Sequence, residues 1–152
     1  MSTELQQFDV NNNAFPYKSE AQKIENILKN IDSYLTDYQT NPIHYNVFYG
    51  FNRILTSNYA SDEYKLQTIF RKLDGVTAFY QAAKSQLVKA DRSLADACVV
   101  QHVQTFRFFD ETLPNYINAR HLMTPQYVTR LEEAKLAIKD YVAYVESFKV
   151  KD

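Results

Sequence analysis

The chain has 152 residues, 45% of them apolar and 23% charged, which is enough to bury a core in one domain and too apolar for disorder over most of its length. Its formal net charge is -1, with Lys+Arg 17 and Asp+Glu 18 mixed along the chain, so no basic stripe or acidic tail favours a nucleic-acid partner. Gly 2, at Gly50 and Gly75, is too little glycine for a fold built from hairpin turns.

Residues 1–16 read as an N-terminal arm. The run Asn11-Asn12-Asn13 and Pro16 discourage regular structure, while Leu5, Phe8, Val10 and Phe15 can stick to a groove. Residues 17–152 read as a single helical-bundle domain. The first helix is expected over 19–38 with Ser19 as its N-cap, because Ile24, Ile27, Leu28, Ile31, Tyr34, Leu35 and Tyr38 recur at spacings of three and four. Asn41 and Pro42 open a second helix, which runs to about residue 58. Its apolar residues, from Ile43 to Leu55, go most of the way round, which predicts the most central helix or one at an oligomer interface. Gly50 in its middle points to a close helix crossing.

The third helix starts at Ser61. Leu66, Ile69, Phe70, Leu73, Val76, Tyr80, Ala83 and Leu87 stay in phase across Asp74-Gly75, which favours one long helix bent at Gly75 over two helices. A fourth begins near Asp91, with Ser93 and Asp96 as a weak capping pair, places Leu94, Cys98, His102, Phe106 and Phe109 on one face, and ends at Pro114. Residues 115–123 form a connector with room for a short helical turn. Thr124 and Pro125 open a fifth helix with the cleanest stripe, from Val128 to Phe148. Links at 39–41, 59–61 and 90–92 are short, so sequential helices become antiparallel neighbours. The expected fold is all-α: an up-and-down helical bundle of about five helices, four long plus one, or six if the chain breaks at Gly75.

Few residues carry chemistry. Cys98 and His102 stand four apart on one helical face and could ligate a metal or act as nucleophile and base. Their register with Leu94 and Phe106 argues instead for core packing, and one Cys with three His is too few ligands for a structural zinc site. The Glu-x-x-His pairs of a di-iron bundle are missing, as are closely spaced glycines for a phosphate loop and a serine nucleophile elbow. No cofactor is implied, although one imidazole would suffice for haem. The lone cysteine precludes an intramolecular disulfide, the N-terminus has no secretory signal pattern, and no apolar run spans a bilayer, so a cytoplasmic setting without membrane attachment is expected.

The aromatic residues are the remaining feature. Tyr45, Phe48, Tyr49 and Phe51 form one block, and Phe108 with Phe109 a second. Such side chains fill cores, anchor interfaces and line pockets. Tyr45, Phe48, Tyr49, Phe51, Cys98, His102 and Phe108 are therefore the candidate interface or pocket. The leading expectation is a non-enzymatic structural or protein-interaction module, docking a protein partner or forming a homo-oligomer through helical faces. The alternative is a bundle that holds an apolar ligand (lipid, pigment or haem) in a cavity lined by Phe48, Phe51, Cys98 and His102.

Overall fold

The apolar periodicity folds as helix throughout: in the computed structural model, which describes the backbone of residues 15–151 and the side chains of residues 19–149, every regular element is helical. In chain order these are α1 (Phe15–Thr40), a 3-10 turn (Pro42–His44), α2 (Phe48–Thr56), α3 (Asp62–Leu73), α4 (Val76–Gln86), α5 (Arg92–Arg107), a π turn (Phe108–Thr112), α6 (Leu113–Ala119) and α7 (Pro125–Lys151). Counting the unbroken path from Arg92 to Ala119 once, the described residues form an all-α fold of six helices. The chain divides between Tyr38 and Gln39 into two units. The arm assigned to residues 1–16 lies, up to residue 14, outside the described residues.

In the first unit, α1 begins at Phe15 rather than at Ser19. Pro16 suits a first turn, where its missing N–H would be unpaired in any case. Gln22 hydrogen-bonds Asn26 at 3.2 Å on the polar side of the helix. The apolar stripe is uncovered: Ile27, Leu28, Ile31, Tyr34 and Leu35 are each 49–62% exposed.

The second unit is an up-and-down bundle with four legs: residues 42–56, 62–86, 92–119 and 125–151. Ion pairs record the directions. Asp96 near the start of α5 holds Lys149 near the end of α7, and Asp110 in the π turn holds Lys135, so these legs are antiparallel. Arg130 meets Asp74, and Lys84 meets Asp140, so α3 and α4 run parallel to α7. The core lies between the legs and includes Phe51, Leu66, Ile69, Tyr80, Cys98, Phe109, Leu113, Ile138, Tyr141 and Val145, all buried.

Four sequence expectations are corrected here. The second helix does not run from 42 to 58. Asn41 accepts the Ile43 N–H at 3.1 Å and caps only a 3-10 turn; Asn46 then accepts the Phe48 N–H at 2.9 Å and starts α2 afresh. A side-chain amide that captures backbone N–H groups in this way competes with continuing the helix. That segment is not the most central one either, since α2 buries only Phe51 and Leu55 and leaves Tyr49 and Gly50 exposed. A Cβ added at Gly50 would meet nothing within 4 Å, so no helix crosses there. The third helix of the sequence reading, which forms the second leg, is two helices. Asp74 and Gly75 donate three residues back, to Arg71 and Lys72, and both keep right-handed dihedrals, so the stripe stays in phase through the break.

Pro114 is the fourth correction, because it does not end its helix. The Leu113 N–H reaches back to the Phe108 carbonyl, five residues away, and this wider π register lets the path continue through proline into α6. The path stops instead in a Schellman arrangement, with Leu122 N–H on the Ile117 carbonyl at 3.2 Å and His121 N–H on the Asn118 carbonyl at 3.0 Å. His121 takes the left-handed position (φ 56) that glycine usually fills. At α7 the reading holds: Thr124 Oγ accepts the Tyr127 N–H at 3.2 Å, with Pro125 in the first helical position.

Candidate functional site

Each of the four legs sends a polar group to the middle of the second unit. α5 brings Cys98 and His102, one turn apart on the buried face (0% and 1% exposed). α4 brings Tyr80, α7 brings Tyr141, and the first leg brings the Pro42 carbonyl. The His102 ring is fully engaged. Its Nδ1 lies 2.9 Å from the Cys98 carbonyl, which can only accept, so Nδ1 carries the proton and Nε2 accepts. The Tyr80 hydroxyl sits 3.1 Å from Nε2 and donates to it, while accepting the Val47 N–H at 3.4 Å. The Tyr141 hydroxyl donates to the Pro42 carbonyl at 2.7 Å, and the Cys98 thiol points to the same oxygen at 3.6 Å. The rings of Tyr80, His102 and Tyr141 pack on one another with centroids 4.8–5.8 Å apart.

Burial sets the protonation of this cluster. It pushes the Cys98 thiol up to about 12, and it raises the Tyr80 and Tyr141 hydroxyls well above their ordinary 10. It also lowers the His102 imidazole below its ordinary 6.5, only partly opposed by backbone hydrogen bonds to Cys98 and Tyr45. At neutral pH every member is uncharged. A nucleophilic cysteine needs thiolate, and a metal site needs gathered deprotonated ligands. Cys98 is held as thiol, and among the described residues no three His, Cys, Asp or Glu gather to hold a metal ion. The cluster fastens four legs together, with Cys98 held as thiol and His102 Nε2 occupied by the Tyr80 hydroxyl.

The seven sequence candidates divide into three groups. Tyr45, Phe51, Cys98, His102 and Phe108 are buried, Phe48 is half-buried, and Tyr49 is exposed. Phe48 packs on Phe108 at 5.4 Å, Phe51 on Phe109 at 5.1 Å, and Tyr45 on Tyr141 at 6.4 Å. The four positions named as a cavity lining are thus filled by neighbouring side chains or engaged in hydrogen bonds. Sequence reasoning placed Tyr80 and Tyr141 in apolar stripes without linking them to His102. It also missed Asn46, whose Oδ1 accepts from Thr105 Oγ at 2.8 Å and joins the first leg to α5. The available signal was a histidine in an otherwise apolar stripe, which needs hydroxyl or carbonyl partners from other helices.

Apolar surface lies outside this cluster. A shallow groove of about 300 Å³ between α5 and α7 is lined by Val99, Val103, Phe106 and Val142 together with His102, Lys139 and Glu146. A larger one of about 550 Å³ lies between α3 and the start of α7, lined by Leu66, Phe70, Leu122 and Tyr127. Val100 and Leu136 also face outward on α5 and α7, 73% and 68% exposed. Among the described residues no helix is long and apolar enough to cross a membrane. Fold and polar cluster together define an all-α helical bundle whose central cluster of Tyr80, Cys98, His102 and Tyr141 is buried and uncharged. No protein-family model, curated protein or solved structure matches the chain.

Proposed function

We propose that this protein is a non-enzymatic interaction module that acts through helical faces, with the stripe of α1 as its principal docking face. One observation carries the reading: five large apolar side chains, Ile27, Leu28, Ile31, Tyr34 and Leu35, lie along one helix about half exposed or more. A contiguous row of this kind gains by being covered, at roughly 25 cal/mol per Å² removed from water, and such rows mark surfaces that bind. Tyr80, Cys98, His102 and Tyr141, in contrast, are inside and uncharged, which is in keeping with a protein that catalyses no reaction. A cytoplasmic setting belongs to the same reading.

The test replaces Ile31 and Leu35 by Glu in the full-length chain. Both residues are exposed, so the helix and the bundle should survive, as circular dichroism and thermal melting would check. Wild type should assemble, with itself or with a defined polypeptide from its source, and the Ile31→Glu/Leu35→Glu variant should lose that assembly. Identical behaviour of the two chains would refute the reading.

A further inference from the structure

The stripe of α1 repeats every seven residues. Ile24, Ile31 and Tyr38 form one row, Ile27 and Tyr34 a second, and Leu28 and Leu35 a third. A strict seven-residue repeat is the signature of a helix that packs along another helix, because it keeps one seam facing the partner. The seam is also prepared at its polar tips. The Tyr34 and Tyr38 hydroxyls lie 3.2 Å apart, and their rings pack edge to face at 4.9 Å.

The charges beside the seam choose the partner and the direction. Lys23, Asn30 and Asp37 form the row that flanks Ile24, Ile31 and Tyr38. This row is basic at its start, neutral in the middle and acidic at its end, so it complements its own reverse. We infer that α1 pairs with α1 of a second copy as an antiparallel two-stranded coil, centred near Lys29. Around that centre Ile27 comes level with Ile31 of the second copy, and Ile24 with its Tyr34. Leu28 faces Leu28, and Asn30 faces Asn30. Lys23 falls within about 3 Å of the height of Asp37, twice by symmetry. An in-register parallel pair would instead set Lys23 level with Lys23 and Asp37 level with Asp37, and would lose the complement. This inference rests on the docking role of the α1 stripe and specifies its occupant.

Sedimentation equilibrium of the pure full-length protein tests it. A reversible monomer–dimer equilibrium is expected over a wide concentration range, with Leu28→Glu monomeric throughout. Lys23→Asp and Asp37→Lys should each weaken the dimer by roughly three- to tenfold, because each sets like charges together. The double variant Lys23→Asp/Asp37→Lys should return to near wild-type affinity, since reversal restores the complement only in an antiparallel pair. Circular dichroism of each variant confirms that α1 is still helical. A wild-type monomer at all concentrations, a dimer that survives Leu28→Glu, or a double variant without recovery would overturn the inference. A monomeric wild type that still retains another polypeptide, lost in Ile31→Glu/Leu35→Glu, would sink the self-pairing and leave the docking role standing.

Discussion

At the scale of single residues, His102 makes the closed centre of the bundle sensitive to acid. Buried as a neutral ring, it resists protonation in the folded state, while in the unfolded chain it titrates near its ordinary 6.5. The unfolded state therefore binds more protons once pH falls below that value, and stability must drop in that direction. Above about pH 7 neither state is protonated and the contribution is constant. The expected result is an unfolding free energy that is flat from about pH 8 to 7 and declines toward pH 5, with a limiting slope of about 1.4 kcal/mol per pH unit for one proton. Chemical denaturation at several pH values reads this directly. His102→Gln should be less stable at neutral pH, since the Tyr80 hydroxyl loses its partner, yet lack the slope in that window. Asp62 and Asp96, whose carboxyls hydrogen bonds hold below the ordinary 3.8, act only at lower pH. An equal slope in the variant would assign the sensitivity elsewhere.

At the scale of elements, Gly50 separates what helix propensity sets from what packing sets. It lies within α2, exposed, with nothing within 4 Å of where a Cβ would be. Gly50→Ala should therefore stabilise the protein by about 1 kcal/mol, read as a higher urea midpoint at unchanged slope; destabilisation would mean that something does cross there. Helix starts such as Thr124-Pro125 were legible in the sequence because capping is local chemistry, decided within four residues. The breaks at Asn46 and the passage through Pro114 were not. Asn46 interrupts the first leg by gripping Phe48 N–H and Thr105 on another helix, and a partner 59 residues away leaves no mark on local periodicity. Pro114 continues its helix because Leu113 reaches back five residues instead of four, a register that hydrophobic spacing does not announce. The polar centre was half legible. Cys98 and His102 declare themselves by their spacing, but Tyr80 and Tyr141 join them only once three helices are packed.

At the scale of the whole molecule, the buried core and the proposed self-pairing seam lie in different stretches of the chain. None of residues 19–38 is buried, whereas the buried apolar residues begin at Tyr45 and end at Val145. The Gln39 carbonyl accepts the Val88 N–H at 2.8 Å and ties the stretch just before the first leg to the link that follows α4. A chain beginning at Gln39 keeps that bond, the four legs and the neutral network around His102. It should unfold in one cooperative transition, with an unfolding free energy within about 1 kcal/mol of full length, because no side chain between 19 and 38 is buried. The same shortened chain lacks the α1 seam and should sediment as a monomer at concentrations where the full chain pairs. Denaturation and sedimentation on this one shortened protein separate the two roles. A lost cooperative transition would place part of the stabilising core in α1. A persistent dimer would move the self-pairing surface to the bundle, where the groove of Val99, Val103, Phe106 and Val142 and that of Leu66, Phe70, Leu122 and Tyr127 could carry it.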